Sequence, residues 1–255
     1  MTIQHANPYG LLMLGAIVLT AWLWGMFSKR DSRLTVVYFA GLFGAFVGAK
    51  VAFLIAETHV HWGNWTAMFT GRSVTGALIG GYVAVELCKR WLNYRSTTGD
   101  LFALMVPLAL IIGRTGCVMQ GCCPGAACEQ THWWTVTDAA GIARWPAATA
   151  ELLFNAVFLM WVLFATTLRW QRGNRFHVYL IAYGVFRFAH EFARDTPPMF
   201  GPITGYQLIA LGIAIFGTVR FVQRRREMSI IVDEAGATAP AITATPVRPD
   251  MRSTT

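Results

Sequence analysis

The stretch 101-LFALMVPLALII-112 is an uninterrupted apolar run, and 113-GRTGCVMQGCCPGAACE-129 follows it directly. Of the 255 residues, 55% are hydrophobic and only 13% are charged, whereas a soluble domain usually carries about 25% charged residues. The other apolar residues also fall into blocks of about 20, the length at which a helix crosses a bilayer. The sequence therefore predicts an all-α integral membrane protein.

The apolar blocks predict a polytopic membrane domain with about seven transmembrane helices, which covers residues 1–228. Residues 229–255 are rich in Ala, Thr and Pro with few apolar anchors, and this composition predicts a disordered cytoplasmic tail. The predicted spans are 8–27, 34–56, 74–92, 100–115, 147–168, 176–193 and 203–222.

The basic residues set the predicted orientation and exclude one class of partner. The net charge is +8, and the Lys and Arg residues cluster in alternate hinges between the apolar blocks. This positive-inside bias places the N-terminus outside and the C-terminus in the cytoplasm. No basic face interleaved with aromatic residues is present, so nucleic acid is not an expected partner. The first block has no basic region before it and predicts a permanent span, not a cleaved signal.

Charged residues lie within or at the ends of predicted spans, where each costs at least about 2.5 kcal/mol on insertion scales. Arg114 ends the fourth predicted span. Arg187 and Glu191 lie one helical turn apart on the sixth, with Tyr183 one turn before them. Such a polar stripe is expected to face a cavity inside the helix bundle. A structural salt bridge that holds helices together explains the stripe equally well in isolation.

Two arginines at the outer depth of the membrane suggest a ligand. A guanidinium binds phosphate bidentately and keeps its charge in any environment. Arg114 and Arg187 are therefore expected to hold the phosphodiester of a phospholipid between the fourth and sixth spans. The chemistry that follows is displacement at a lipid carbon or phosphorus, with the arginines stabilising the charge of the departing phosphate.

Six short motifs carry a family resemblance: 9-YGLLMLG-15, 48-GAK-50, 75-TGALIGG-81, 113-GRTGCVMQGCCPG-125, 144-RWPAATAE-151 and 183-YGVFRFAHEFAR-194. In order and spacing they resemble the motifs of the bacterial prolipoprotein diacylglyceryl transferases, and the resemblance covers roughly residues 8–220. Members of that family are seven-span enzymes of the bacterial cytoplasmic (inner) membrane. They move diacylglycerol from phosphatidylglycerol to the cysteine thiol of a lipoprotein precursor and release glycerol phosphate.

The resemblance implies the partners of the protein. It also implies one site, which contains a phospholipid-binding set and a catalytic set of residues. The partners are phosphatidylglycerol or a similar anionic phospholipid, the membrane itself, and a lipoprotein precursor or another acceptor; no metal or organic cofactor is expected. The small pairs Gly76/Gly80 and Ala77/Gly81 allow close approach of helices, and plain packing of small residues is the simpler interpretation of Gly80 and Gly81. The phospholipid-binding set is Arg114, Arg187, Tyr183, Gly125 and Gly76, and the catalytic set is Arg114, Arg187, Glu191, Tyr9, Thr75, Cys117 and Cys122.

The departures from the family pattern concern activation of the acceptor thiol. Thr75 replaces the family's histidine, while Cys117 and Cys122 replace the first asparagine and the glutamate of its signature. Three alternatives therefore stay open: a paralogue with a different acceptor, a membrane thiol oxidoreductase, and a non-catalytic lipid-binding protein. The candidates for a general base are Glu151, Glu191 and His190.

Four cysteines are predicted on the outer side of the membrane, where disulfides persist. A disulfide staple is one interpretation of Cys117, Cys122, Cys123 and Cys128. A metal site is another, although the C-x4-C-C-x4-C spacing lacks the paired CxxC elements of zinc sites. The third is a reactive thiolate beside Arg114 that carries the lipid group covalently.

Overall fold

Helices make up most of the part of the chain that the structure describes, which is residues 8–28, 31–123 and 125–237 of a computed structural model. Between the helices lie two short antiparallel hairpins and one 3-10 turn, Glu191–Ala193. The predicted all-α class is confirmed. The helices are α1 (Pro8–Phe27), α2 (Ser32–His61), α3 (Trp65–Thr70), α4 (Val74–Trp91), α5 (Gly99–Gln120), α6 (Ala147–Thr167), α7 (Arg175–His190) and α8 (Gly205–Ala237).

Each of the seven predicted spans falls on one helix, and α3 is an additional short helix. Five helices, α1, α2, α5, α6 and α8, are long and apolar enough to cross a membrane. The other two helices on predicted spans do not combine this length with so few charges. Helix α4 carries Glu86, Lys89 and Arg90 near its end, and α7 has only 16 residues. The chain is thus an all-α, multi-pass membrane protein.

Large apolar side chains cover the outer surface of the helices. Phe43 on α2 is 71% exposed, and Val157 on α6 is 70% exposed. Monomeric soluble proteins rarely expose apolar patches of this kind over a wide area. The outer surface of the bundle therefore suits contact with lipid.

Several helix ends differ from the prediction, among them that of α2, which continues past residue 56 to His61. Helix α5 continues past residue 115 to Gln120, because its left-handed cap is supplied only by Gly121, whose φ is 62°. Helix α7 ends at His190, so Glu191 begins the 3-10 turn. Helix α8 continues to Ala237, past the predicted start of the tail at Ser229. The rest of the predicted tail, residues 238–255, lies outside the described residues, as do 1–7, 29–30 and 124.

Glycines bring α2 and α4 into close contact. A Cβ atom at Gly48 of α2 would overlap the carbonyl oxygen of Gly76 on α4, and a Cβ at Gly76 would overlap the carbonyl oxygen of Gly48. Gly80 meets Gly44 in the same way one turn along. Small residues at fourfold spacing allow such backbone contact between membrane helices. The packing interpretation of this glycine motif is therefore confirmed.

The segments after α5 and after α7 are joined by backbone pairing. Gly125 donates its N–H to the carbonyl of Trp145 at 3.0 Å, and Ala126 donates to Ala193 at 2.9 Å. A Cβ atom at Gly125 would lie 2.6 Å from the Trp145 oxygen and 2.8 Å from the Ala193 oxygen. Only glycine fits there, and the pairing places Arg194 directly beside residue 125. The hairpins are β1 (Val136–Thr137) with β2 (Ala143–Arg144), and β3 (Pro198–Phe200) with β4 (Ile203–Thr204).

Candidate functional site between helices α5, α6 and α7

Glu151, near the start of α6, lies at the centre of a buried polar cluster. Its side chain is fully buried. Arg114 of α5 donates from Nη2 to one carboxylate oxygen at 2.7 Å, and Tyr183 of α7 donates its hydroxyl to the other at 2.9 Å. Because both oxygens accept hydrogen bonds, Glu151 holds Arg114 in place and is not a free general base.

A second ion pair lies on α7 and the turn that follows it. Nη2 of Arg187 is 2.7 Å from Oε2 of Glu191, and Nε of Arg194 is 3.8 Å from the same oxygen. The predicted pairing of Arg187 with Glu191 is confirmed. Both Arg187 and Arg194 are also close enough to Glu151 to act on it electrostatically. Arg114 and Arg187, from helices far apart in the sequence, thus lie in one charged cluster, each paired with a different carboxylate.

The cluster carries an excess of positive charge. Three guanidinium groups, those of Arg114, Arg187 and Arg194, face the two carboxylates of Glu151 and Glu191, which leaves one positive charge. The side chain of Arg194 is only 18% exposed, and its Nε and Nη1 form no hydrogen bond with any described part of the chain. Buried donors without a partner are costly, and an anion is the group that satisfies them best.

A cavity of about 290 Å³ adjoins the unsatisfied arginine. Glu191 and Arg194 line it, together with Thr204 at the end of β4 and Gln207 at the start of α8. Thr204 is buried and hydrogen-bonded to Gln207 through both its backbone and side chain. The free guanidinium nitrogens of Arg194 make this cavity suited to an anionic headgroup.

Two further residues extend the hydrogen-bond network of Glu151. Asn155, one turn after Glu151 on α6, donates to the Glu151 carbonyl at 2.8 Å and accepts from the hydroxyl of Tyr179 at 2.8 Å. Both are fully buried. Sequence reasoning did not single out either residue. Their spacing was a signal in the sequence. Asn155 lies four positions after Glu151 and Tyr179 lies four positions before Tyr183, so each shares a helix face with a residue of the cluster.

Three thiols lie next to the arginines. The sulfur atoms of Cys117, Cys122 and Cys123 are all within 4.8 Å of one another, and Nη1 of Arg114 donates to the Cys117 sulfur at 3.8 Å. Hydrogen bonding from Cys117 and the charges of Arg114 and Arg194 lower the pKa of the Cys123 thiol to about 5, against the effect of burial. Burial raises the pKa of the Cys122 thiol.

The four cysteines do not form the disulfide staple that was one interpretation of the sequence. All are free thiols in the structure, as is Cys88. Cys128 stands apart from the other three, and its sulfur faces the carbonyl of Ala126 at 3.9 Å. The thiol cluster therefore consists of Cys117, Cys122 and Cys123.

The remaining predicted site residues divide into two groups. Tyr9 packs its ring against Gly116 of α5, where a Cβ would lie 3.1 Å away, and it lies within electrostatic range of Arg114 and the three thiols. The described contacts of Thr75 and Gly76 lie elsewhere: Thr75 is hydrogen-bonded to Ser73 at 2.6 Å, and Gly76 packs on α2. The site roles of Thr75 and Gly76 stay predictions.

His190 lies beside the cluster with both ring nitrogens in contact. Trp145 donates from Nε1 to its Nε2 at 3.1 Å, and its Nδ1 is 3.5 Å from Nη1 of Arg187. The ring therefore positions Arg187 and leaves neither nitrogen free to take a proton from an acceptor. Among the candidate bases, His190 and Glu151 are both engaged by neighbours.

Comparisons with known proteins agree with the motifs. The model of the family described as prolipoprotein diacylglyceryl transferase matches residues 2–223. Proteins named phosphatidylglycerol–prolipoprotein diacylglyceryl transferase are similar over most of their length. One from Dehalococcoides mccartyi is 27% identical over 235 residues, which cover 86% of this chain and 89% of the relative. One from Rhodospirillum rubrum is 28% identical over 243 residues, covering 84% and 87%.

Proposed function

Because the chain belongs to the prolipoprotein diacylglyceryl transferase family, we propose that it transfers the diacylglyceryl group of phosphatidylglycerol, or of a similar anionic phospholipid, to a thiol. The acceptor is the cysteine of a lipoprotein precursor, presented at the outer face of the bacterial cytoplasmic membrane. Relatives that share about 27% of their residues with the chain are named for this reaction.

One observation carries the assignment of the lipid site: the buried arginine cluster has one uncompensated positive charge and two guanidinium nitrogens without a hydrogen bond. A phosphodiester carries one negative charge and several acceptor oxygens. Bound in the cavity beside Arg194, it neutralises the cluster and satisfies both nitrogens. Arg114 and Arg187, held by Glu151 and Glu191, supply positive charge behind it.

The chemistry follows from this placement. The acceptor thiol loses its proton to solvent or a base, and its sulfur attacks the glyceryl carbon that bears the phosphate. A carbon–sulfur bond forms as the carbon–oxygen bond breaks, and the electron pair leaves with glycerol phosphate. Charge grows on the departing phosphate, so fixed guanidinium groups stabilise the transition state more than the ground state.

The same proposal includes the topology. All seven long helices cross the membrane, with the N-terminus outside and the C-terminus in the cytoplasm. The two helices that fall short on length or charge, α4 and α7, pack along α2 and α8 respectively. Basic hinges such as Arg169 to Arg175 then lie on the cytoplasmic side.

Complementation of a bacterial strain depleted of its own prolipoprotein transferase tests the function. The wild-type chain is expected to restore lipoprotein processing and growth, and Arg114→Ala, Arg187→Ala and Arg194→Ala variants are expected to fail at equal expression. Arg226→Ala, an exposed arginine of α8, is the matched control and should rescue. Failure of the well-expressed wild type would contradict transfer to lipoprotein precursors.

A different acceptor is the second candidate, and one observation favours it. The position of the family's histidine is occupied by Thr75, whose described hydrogen bond is to Ser73. Purified protein in phosphatidylglycerol vesicles separates the two candidates. Glycerol phosphate release that a cysteine-containing precursor peptide does not accelerate, but another thiol does, would point to the different acceptor.

A further inference from the structure

We propose that Cys117, Cys122 and Cys123 form a three-thiolate binding site for a thiophilic divalent cation such as zinc, with an open fourth position for the acceptor thiol. The binding site itself is independent of the proposed transfer reaction. The role given to the open position rests on that reaction. The spacing of the cysteines in the sequence argued against a metal site, since paired CxxC elements are missing. The fold nevertheless brings the three sulfur atoms close together.

The distances fit a metal better than a disulfide. A zinc ion bonds thiolate sulfur at about 2.3 Å, so three sulfurs around one zinc lie about 4 Å apart. All three sulfurs here are within 4.8 Å of one another, which requires only a small contraction. A disulfide requires about 2.05 Å and joins only two of the three thiols. The adjacent pair, Cys122 and Cys123, has a Cα separation of about 3.8 Å, below the usual disulfide range.

The backbone is bent to bring these thiols together. Gly121 ends α5 with a φ of 62°, and Cys123 has a φ of 60°. A residue with a side chain costs about 1–2 kcal/mol in this left-handed conformation. Strain of this kind persists where the surroundings enforce it, often at functional sites. The double turn returns Cys122 and Cys123 to Cys117, which lies in the last turn of the helix.

The charges also balance. Three thiolates and one Zn²⁺ together carry one negative charge. The neighbouring arginine cluster carries one positive charge in excess, and Arg114 donates to the Cys117 sulfur at 3.8 Å. Soft thiolate ligands select zinc over the hard cations Mg²⁺ and Ca²⁺. Before the phospholipid binds, a cation of charge +2 therefore leaves this part of the protein close to neutral.

Three protein ligands leave one tetrahedral position open, as in catalytic zinc sites. A thiol that binds zinc there loses its proton, which passes to solvent. The zinc-bound sulfur then forms the carbon–sulfur bond as the glyceryl carbon–oxygen bond breaks and glycerol phosphate departs. Activation of the acceptor by a metal would account for a chain in which two of the three candidate bases, Glu151 and His190, are engaged by neighbours.

Metal binding is tested on the purified full-length protein without lipid or acceptor. After incubation with zinc chloride under reducing conditions and extensive dialysis, the wild type is expected to retain about one zinc per chain. With cobalt chloride it should show the intense thiolate-to-cobalt absorption of a sulfur-ligated site. Cys117→Ser, Cys122→Ser and Cys123→Ser should lose both signals, whereas Cys88→Ser and Cys128→Ser should keep them.

Measurements on the wild-type protein alone can contradict the proposed binding site, so the test does not depend on whether a variant folds. Absence of retained zinc and of the cobalt absorption in monodisperse wild-type protein would contradict it. Zinc retained equally by the triple serine variant would contradict it as well. A disulfide between two of the three cysteines, found by thiol trapping in intact cells, would replace the metal site with a redox pair.

The role in transfer has a separate readout. In phosphatidylglycerol vesicles with a cysteine-containing peptide, removal of zinc by a chelator should abolish peptide lipidation, and added zinc should restore it. Zinc retention together with zinc-independent lipidation would overturn the role in acceptor activation. Zinc retention with no lipidation under any condition would instead count against the proposed function, and the metal content would still report the site.

Discussion

At the scale of single residues, Arg194 makes the most specific claim about the substrate. Its guanidinium is mostly buried, is 3.8 Å from Glu191 and has two nitrogens without a hydrogen bond to the described chain. Lysine at this position keeps the charge and loses the planar fork that binds two phosphate oxygens. The residue is therefore expected to contribute to lipid binding beyond its charge.

Arg194→Lys should raise the KM for phosphatidylglycerol by about 10- to 100-fold, because a hydrogen bond to a charged group contributes about 1.5–3 kcal/mol. The measurement is the rate of glycerol phosphate release in mixed vesicles over a range of lipid content. Arg226→Lys, on the exposed face of α8, serves as control and should leave KM unchanged. An unchanged KM for Arg194→Lys would show that this guanidinium does not bind the headgroup.

Glu151→Gln should lower the stability of the protein as well as its activity. The change leaves Arg114 buried without its counter-charge, and removal of one partner of a buried ion pair costs about 3–5 kcal/mol. Thermal unfolding in detergent, followed by tryptophan fluorescence, gives the effect. In Glu227→Gln, where the side chain is 54% exposed and paired with Arg224, the expected change is within about 1 kcal/mol. Equal unfolding temperatures for both variants would contradict the central position of Glu151.

The sequence alone predicted Arg114, Arg187 and Glu191, since charges inside apolar blocks stand out and one helical turn separates the last two. It did not predict that Glu151 binds Arg114 and Tyr183, or that Asn155 and Tyr179 extend the network. Those contacts cross between α5, α6 and α7, and they depend on how each helix is rotated about its axis. Spacing within one helix says nothing about that rotation.

At the scale of helices, the contact between α2 and α4 depends on glycine. Gly48→Ala should destabilise the protein by about 1–3 kcal/mol, because the added methyl group overlaps the Gly76 carbonyl and forces the helices apart. Thermal unfolding in detergent is again the measurement. Gly212→Ala in α8, where nothing lies within 4 Å of the new Cβ, should be neutral or stabilising by up to about 1 kcal/mol. Similar behaviour of the two variants would contradict the close packing.

Helix positions were predictable from the apolar blocks, and helix ends were less so. The fourth predicted span ended at residue 115, yet Gly113 and Gly116 lie within the helix, which ends only at the left-handed Gly121. The pairing of residues 125 and 126 with the segments after them was not visible in the sequence. It arises from backbone hydrogen bonds between segments that are 20 residues (125 to 145) and 67 residues (126 to 193) apart, and these leave no periodic pattern.

At the scale of the whole molecule, the orientation in the membrane is testable by reporter fusions. The charge bias predicts that a fluorescent protein fused after the C-terminus folds in the cytoplasm and fluoresces, whereas an alkaline phosphatase fused there stays inactive. Fusions that end in the hairpin after α7, near residue 201, should give the opposite pair of results. Active phosphatase at the C-terminus would contradict the proposed topology.

The family and the membrane class were predictable because composition and motif order are properties of the whole chain. The thiol cluster was predictable only as a set of alternatives, since C-x4-C-C spacing does not specify how a helix end and a double turn fold back. For Thr75, a motif match predicted a role in the site. The described hydrogen bond of Thr75, however, is to Ser73 at the start of α4.

The structure of the protein in a phosphatidylglycerol nanodisc, determined by electron cryomicroscopy, tests the lipid site most directly. The predicted result is a headgroup phosphate about 3 Å from Nε or Nη1 of Arg194, in the cavity bordered by Glu191 and Gln207. A well-resolved phosphatidylglycerol headgroup bound elsewhere, with these two nitrogens facing protein or water alone, would contradict the account.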